Sequence, residues 1–358
     1  MLFTTEARKS PKIAVGLSGG VDSAVSAYLL KKEGYDVAGV YMQCWEFKED
    51  GCSAEEDRAD AVKVAAHLDI PFKHLNFINE YKSRVIENFY NEYQKGRTPN
   101  PDVLCNKEIK FGIFLDWALK NEFDYVATGH YAQIKKNDGS WDLLSAIDET
   151  KDQSYFLYLL NQVQLSHAIF PLGELRKTEV RKIAREIGLP NFDKPDSVGI
   201  CFIGEVNMKE FLKNKIKTSP GQVIDVHGEV IGDHDGVQFY TVGQRHGFRV
   251  KKYHGLPMYV VGKNPEKNEL IVGFAKDGVR KEFEVGSIYW HRNTNVESVK
   301  CLVRIRHLGE MYAATVKILP AEQSKVVVVL EDGVFGVAPG QSAVFYLNEV
   351  VLGGGVIQ

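Results

Sequence analysis

The period of apolar positions changes repeatedly along this chain, and each change marks a predicted element. Lys12-Ile13-Ala14-Val15 is an unbroken apolar run and predicts a buried strand. Ser23 to Leu30 places apolar residues three and four apart and predicts a helix. The alternation continues with a strand over 35–42 and an aromatic, acidic loop over 43–51. A helix follows, capped by Ser53-Ala54-Glu55-Glu56-Asp57 and running to His67, then a strand over 71–77 and helices over 81–93 and 106–120. Between those last two, prolines on both sides of Asn100 exclude Gly96 to Asp102 from regular structure. A short strand over 124–128 ends at Gly129-His130. Strands and helices alternating over 12–130 predict an α/β doubly wound parallel sheet, whose ligands sit at the carboxyl ends of the strands. Ser18, Met42 and Gly129 would lie there.

Further on, Asn137-Asp138-Gly139 predicts a hairpin within 131–145, and Asp152-Gln153-Ser154 leads a predicted apolar helix over 155–160. Lys177 to Ile187 is an amphipathic helix ended by Gly188 and Pro190. Its bases Arg176, Lys177, Arg181, Lys182 and Arg185 alternate with Glu174, Glu179 and Glu186 and read as a solvated face. One more helix is expected over 207–216. From Gly221 the chain is strand-like, with turns at His227-Gly228 and Asp235-Gly236. From about Phe274 only short strands remain, at 287–291, 299–306, 313–319, 325–330 and 343–347, which predicts a small β-barrel. These shifts divide the chain into 1–206, 207–273 and 274–358.

Composition narrows the class without changing this picture. With 358 residues, 44% hydrophobic and 25% charged, the chain suits a soluble protein of two or three domains. No apolar run approaches the roughly 20 residues that cross a bilayer, and Met1 to Ser10 lacks an apolar signal core. A cytoplasmic protein is expected. The formal charge of −3 excludes a global basic field, so a nucleic-acid partner needs local patches. One stretch, 236–265, carries no acid but holds Arg245, Arg249, Lys251, Lys252 and Lys263 among Phe239, Tyr240, Phe248, Tyr253 and Tyr259. That mixture suits an RNA surface or a basic strand-rich linker. Five cysteines, an odd count without a CxxC pair, argue against a secreted disulfide framework and against structural zinc; no metal site built from side chains is expected. Cys44 and Cys52 read as plain buried or loop thiols.

Gly16-Leu17-Ser18-Gly19-Gly20-Val21-Asp22-Ser23 joins the first strand to the first helix. Read blandly, it is a strand-to-helix turn with a Ser cap. Read chemically, it is an anion site: outward N–H groups, a helix N-terminus, glycines free to take positive φ, and two hydroxyls. It lacks the Gly-Lys-Ser/Thr ending of a Walker A loop. It resembles the SGGxDS signature of the PP-loop ATP pyrophosphatases, which split ATP between its α and β phosphates to adenylate an oxygen. Two cysteines also stand apart. Cys105 sits just before a predicted helix start at Asn106, where the helix N-terminus with Lys107 and Lys110 would lower its pKa. Cys201 lies in the turn-rich Asp196–Gly204. Each is readable as a buried apolar thiol; beside an ATP-activating loop they read as a redox pair for sulfur transfer.

The sequence resembles the bacterial tRNA 2-thiouridylases. The resemblance rests on Gly16–Ser23, Thr98–Asn106, Ala127–Tyr131, Lys151–Leu157, Gly199–Ile203, Tyr240–Gly247 and Pro339–Tyr346, which span nearly the whole chain. It implies that Gly16 to Ser23, with Met42 and Gly129, bind ATP, and that Mg²⁺ screens the phosphates. It implies that Asn100, Pro101 and Asp102 meet the target base, with Asp102 as acid–base group, and that Cys201 carries a persulfide with Cys105 as its partner. His130, Lys151, Asp152, Gln153, Arg306, His307 and Gln341 would contact tRNA; His307 stands where the family has Tyr. The implied partners are a tRNA with a wobble uridine of the Lys, Glu or Gln type and a persulfide donor protein, with the chain a monomer. Other PP-loop adenylating enzymes, acting on RNA or a metabolite, share the loop but have no need of two cysteines about a hundred residues apart. A non-catalytic RNA-binding protein with a relic nucleotide fold has no need of an intact SGGVDS.

Overall fold

The computed structural model describes residues 10–46, 54–196, 199–204, 207–252, 255–292, 296–319 and 324–358. Cys52, Ser53, Ser197, Val198 and Tyr253 lie outside the described residues, as do 1–9 and 47–51. The chain forms two compact units, one of Met1–Tyr81 with Cys105–Glu205, the other of Lys82–Leu104 with Val206–Gln358.

The first unit is built on β1 (Lys12–Gly16), β2 (Asp36–Gln43), β3 (Phe72–Asn76) and β4 (Tyr125–Ala127). A hairpin, β5 (Gln133–Asn137) and β6 (Ser140–Leu144), and the short β7 (Ala168–Ile169) complete it. The sheet order is β3-β2-β1-β4-β7 and every pairing is parallel, as the alternation of elements predicts. Ile13, Ala14 and Val15 are wholly buried. A central parallel strand covered on both faces has no polar side to alternate with, hence its unbroken apolar run. Helices Val21–Lys32, Ala54–His67 and Lys177–Glu186 supply Ala24, Val25, Ala61, Val64, Val180 and Ala184 to the same core. The hairpin turn lies at the expected Asp138-Gly139, both at positive φ (50° and 79°), as a type I′ turn requires.

Several expected boundaries move. The helix expected over 81–93 starts earlier and is interrupted: Ile78–Tyr81 is α, Lys82–Ile86 is π and Glu87–Gln94 is α. Pro101 and Asp102, expected to be irregular, open a helical turn, Pro101–Leu104. Proline is tolerated at a first helical position because its missing N–H would be unpaired there anyway. The expected helix over 155–160 shrinks to one 3₁₀ turn, Ser154–Phe156. Buried Asp152 accepts from the Ala146 N–H (3.1 Å), the Ser154 N–H (3.2 Å) and the Ser154 hydroxyl (2.9 Å), tying the turn to the end of the hairpin.

The second unit holds two sheets. β8 (Gly221–Ile224), β9 (Val230–His234), β10 (Arg249–Val250), β11 (Tyr259–Asn264) and β12 (Glu269–Gly273) run in the order β10-β9-β8-β12-β11 around Val223, Ile231, Tyr240, Val260 and Leu270. β13 (Val279–Trp290), β14 (Ser298–Arg304), β15 (Tyr312–Ile318), β16 (Lys325–Phe335), β17 (Ser342–Leu347) and β18 (Val350–Ile357) follow. They close into the predicted barrel because β13 pairs with both β16 and β18. β18 escaped the sequence reading because Gly353-Gly354-Gly355 leaves no side-chain period. The closure needs those glycines: a Cβ on Gly353 would lie 2.1 Å from the Tyr289 carbonyl oxygen.

The basic stretch over 236–265 is less open than its composition implies. Arg249 pairs with Asp233 and Asp235, Lys251 with Asp233 (3.7 Å) and Lys252 with Glu229 (2.6 Å). Tyr240 is buried in the core, against which Phe239 and Phe248 pack. Lys263 donates to the Tyr240 carbonyl at 2.6 Å, and burial lowers its pKa to about 8. The acids that answer these bases lie on β9 or just before and after it, outside the acid-free window. Among the described residues, no helix is long and apolar enough to cross a membrane.

Candidate active site

The loop after β1 is shaped by its own side chains. The Ser23 hydroxyl accepts from the Ser18 N–H (3.1 Å) and donates to the Gly20 carbonyl (3.0 Å), and the Gly20 N–H reaches the Ser18 hydroxyl (3.3 Å). Gly20 caps the helix with no side-chain hydrogen bond of its own. Gly19 has φ +80°, and a Cβ there would meet the Asp57 carbonyl oxygen at 2.4 Å. Met42 and Gly129 flank the loop as expected. A Cβ on Gly16 would sit 3.0 Å from the Met42 Cε, and one on Gly129 would sit 2.7 Å from the Ser23 nitrogen. Two supports were not legible in the sequence. The buried Asn191 donates to the Gly19 carbonyl (2.8 Å), and Lys194 pairs with Asp57 (2.8 Å) and Asp60 (2.7 Å), fixing the helix against which Gly19 rests.

Lys177 corrects the expectation of a solvated face. Its side chain is 13% exposed and its ammonium donates to both Asp22 oxygens (2.7 and 2.8 Å). It also lies 2.8 Å from Asp196, which Lys151 (2.7 Å) and Arg181 (2.6 Å) hold as well. Tyr131 donates to Asp22 at 2.9 Å. Burial alone would raise the Asp196 pKa; the hydrogen bonds from Lys151, Lys177 and Arg181 outweigh it and hold the carboxyl well below its ordinary range. A depressed carboxylate pKa contributes stability above the unfolded-state value, lost as pH falls through the folded-state value. Lys177→Met is therefore expected to lower Tm by about 2–4 °C at pH 7, its partly exposed carboxylate partners being partly screened. It is also expected to begin acid unfolding at higher pH than the parent; melting curves between pH 2 and 7 read both.

The two singled-out cysteines come together. Their Sγ atoms are 3.4 Å apart across 96 residues, both as free thiols. Cys201 is half-buried in a turn with positive φ at Gly199 (95°), Phe202 (65°) and Gly204 (88°). The turn is held by the Tyr81 hydroxyl, which donates to the Cys201 carbonyl at 2.6 Å. Cys105 departs from expectation: it is wholly buried, and a helical turn, Pro101–Leu104, precedes it. Burial pushes its thiol well above the usual value and the Cys201 sulfur adds to this, while Lys110 pulls the other way. Cys44 is a buried thiol as expected; burial and the nearby Cys201 push its pKa up.

The residues implied as nucleic-acid contacts fall in two places. In the first unit, Lys151 reaches Asp196, Asp152 is buried, and Gln153 accepts from the Tyr131 N–H at 3.0 Å. His130 is buried between Phe111 and Phe170. In the second unit, the Asn100 side chain accepts from the Asp102 N–H (3.1 Å) and so caps the turn around Pro101. Thr98 anchors that turn: its N–H donates to the Pro339 carbonyl (2.9 Å), its carbonyl accepts from Gln341 (2.8 Å), and its hydroxyl meets Thr241 (3.1 Å). Gln341 thus holds the residue two before Asn100, across 243 residues of separation from Thr98. Arg306 is exposed and donates to the Phe335 carbonyl at 3.1 Å, with His307 next to it.

Residues 11–205 match the tRNA methyl transferase HUP domain family, 209–274 the tRNA methyl transferase PRC-barrel domain family and 280–357 the aminomethyltransferase beta-barrel domain family. The chain is 45% identical over 359 residues to the tRNA-specific 2-thiouridylase MnmA of Idiomarina loihiensis, covering 98% of this chain and 96% of the relative. It is 47% identical to the tRNA-specific 2-thiouridylase MnmA 1 of Geobacillus kaustophilus, with the same coverage. Among solved structures, a 4-thiouridine synthetase–RNA complex with bound ATP is similar at TM-score 0.35 and 18% identity, over 57% of this chain and 50% of that one. NMN synthetase from Francisella tularensis is similar at TM-score 0.34 and 17% identity, over 59% and 80%.

Proposed function

The chain belongs to the tRNA-specific 2-thiouridylase family, and from that premise we propose how its residues divide the reaction. The enzyme replaces the C2 oxygen of a wobble uridine with sulfur. A uracil carbonyl is a poor electrophile and its oxygen a poor leaving group. Adenylation converts that oxygen into a phosphate leaving group and releases pyrophosphate. The N–H groups and hydroxyls of Gly16 to Ser23 cradle the ATP phosphates, with Met42 and Gly129 beside the adenosine. Asp22 is the carboxylate at the loop, and beyond the hydrogen bonds from Lys177 and Tyr131 its Oδ2 keeps one lone pair that could hold Mg²⁺, which is bound through one or two carboxylates together with phosphates and would screen their charge. Among the described residues no group of three or more His, Cys, Asp or Glu side chains could hold a metal unaided. Lys177, already on Asp22, adds a second cation at the loop.

Asn100, Pro101 and Asp102 receive the base, and Asp102 moves the proton. Cys201 accepts a persulfide from a donor protein and Cys105 is its partner; a dithiol reductant reopens any disulfide they form. Residues 207–273 and 274–358, with Lys151, Gln153, Arg306, His307 and Gln341, grip the tRNA; Asp152 and His130, implied as contacts by the resemblance, are buried and act on that surface only through the turn and the side chains they hold. Its target base must leave the anticodon stack to react. We further assign the chain to the cytoplasm as a monomer.

The observation that carries this reading is the 3.4 Å approach of Cys105 and Cys201 within the unit that bears the SGGVDS loop. Incubation with ATP, Mg²⁺, a persulfide donor and unmodified tRNA is expected to give 2-thiouridine on nucleoside analysis. Pyrophosphate release without any thiouridine would leave an adenylating enzyme and remove the sulfur chemistry.

A further inference from the structure

Cys105 opens a π-helix, Cys105–Ile113. A π-helix closes i→i+5 hydrogen bonds, so the residue five on lies about one turn from the first, as the residue four on does in an α-helix. Lys110 is five residues after Cys105 and so lies about one π-turn along from it. The ammonium is fixed from two sides. It lies 3.3 Å from the His130 Nε2 and 5.7 Å from the centre of the Phe202 ring, next in chain to Cys201. An ammonium can only donate, so His130 accepts at Nε2 and its Nδ1–H donates to the Thr128 hydroxyl at 2.7 Å. This is the neutral ring, consistent with burial, and secondarily Lys110, holding the His130 pKa well below its usual value. His130 thus anchors the lysine without competing for charge.

We propose that Lys110 holds negative charge on the Cys105 sulfur while that sulfur attacks the Cys201 persulfide. The inference rests on the thiolation reading above and deepens it. In the step, Cys105 thiolate attacks the inner sulfur of Cys201–S–SH. The Cys105–Cys201 bond forms and the bond to the terminal sulfur breaks. The terminal sulfur leaves as HS⁻ with the electron pair, reduced from sulfane sulfur to sulfide, while the two cysteines are oxidised to a disulfide. The Cys105 proton has already passed to solvent, and that ionisation is the one a buried site opposes. The titratable groups around the pair are Cys44 after β2, Glu80 in the helix before Tyr81, Cys201 itself, His130 and Lys110; Lys110 is the one that favours the thiolate.

The test loads reduced enzyme with inorganic polysulfide in the absence of tRNA. It follows the Cys105–Cys201 disulfide by acid quench and peptide mass spectrometry between pH 6 and 10. The wild-type rate is expected to rise with pH to a plateau. Lys110→Met should move the midpoint up by about one unit or more and slow the reaction at pH 7 about 10-fold, as loss of a neighbouring opposite charge requires. Lys110→Arg, which keeps the charge, should hold the wild-type midpoint to within about half a unit. A Met variant whose profile overlays the wild type, or an Arg variant displaced as far as the Met variant, overturns the role of Lys110 and leaves the cysteine pair standing. Wild-type enzyme forming no Cys105–Cys201 disulfide at any pH overturns the pair itself.

Discussion

Cys201→Ala enzyme supplied with ATP, Mg²⁺, a persulfide donor and unmodified tRNA is expected to make 2-thiouridine on the order of 10³-fold more slowly than the parent, or not at all. The same protein should still release pyrophosphate when tRNA is present. The split follows from the geometry. Cys201 sits in a turn whose backbone is held by Tyr81 and by the hydrogen bonds between Ile200 and Gly204, far in sequence from the loop that is proposed to take ATP. Removing its sulfur deletes the sulfur carrier and leaves Gly16 to Ser23 intact. The half-buried side chain is small, so Ala leaves little void, and Tm should move by less than about 2 °C. Cys105→Ala should lose thiolation as well, because the sulfur on Cys201 then has no thiol 3.4 Å away to release it. Full thiolation by Cys105→Ala would instead mean direct attack by the Cys201 persulfide.

Gly19→Ala is the second large effect, on the other half of the reaction. Gly19 has φ +80°, which costs a residue with a Cβ about 1–2 kcal/mol. The added Cβ would also lie 2.4 Å from the Asp57 carbonyl oxygen and 2.7 Å from its Cα. That backbone has little room to retreat, since Lys194 binds Asp57 and Asp60 and Asn191 binds the Gly19 carbonyl. The loop itself must move, and misplacement by about 1 Å costs on the order of 10²-fold in rate. ATP-dependent pyrophosphate release should fall by that factor or more, with loss of thiolation in proportion. Gly20→Ala is the control: with φ −84° and a nearest contact of 3.3 Å to the Ser18 hydroxyl, it should cost less than about tenfold. Equal losses in the two variants would mean that the loop's backbone shape is not what matters.

What could be read in the sequence were the features carried by a local period or a dense motif. The buried run of β1, the Gly-rich turn and the helix after it needed only the nineteen residues from Lys12 to Leu30, and the parallel sheet followed from alternation. The unreadable features depend on distance or on an unusual period. Lys177 alternates with acids along its helix and so looks solvated, but its ammonium is spent on Asp22 and Asp196. Cys105 stands near the start of an apparent helix, and only its burial reverses the direction of its pKa. The π-helix has no signature in a search for three- and four-residue spacing, so the one-turn spacing of Lys110 from Cys105 was hidden although both residues had been noticed. Bases at 249–252 looked like an open patch because their acids lie outside the acid-free window.

The claim on which all of this turns is that the uridine oxygen leaves as part of AMP. It is tested most directly with tRNA carrying oxygen-18 at C2 of the target uridine, turned over once, with the AMP weighed by mass spectrometry. The account predicts AMP heavier by one oxygen-18 for each thiouridine formed. Unlabelled AMP, with the heavy oxygen recovered in water, would contradict it.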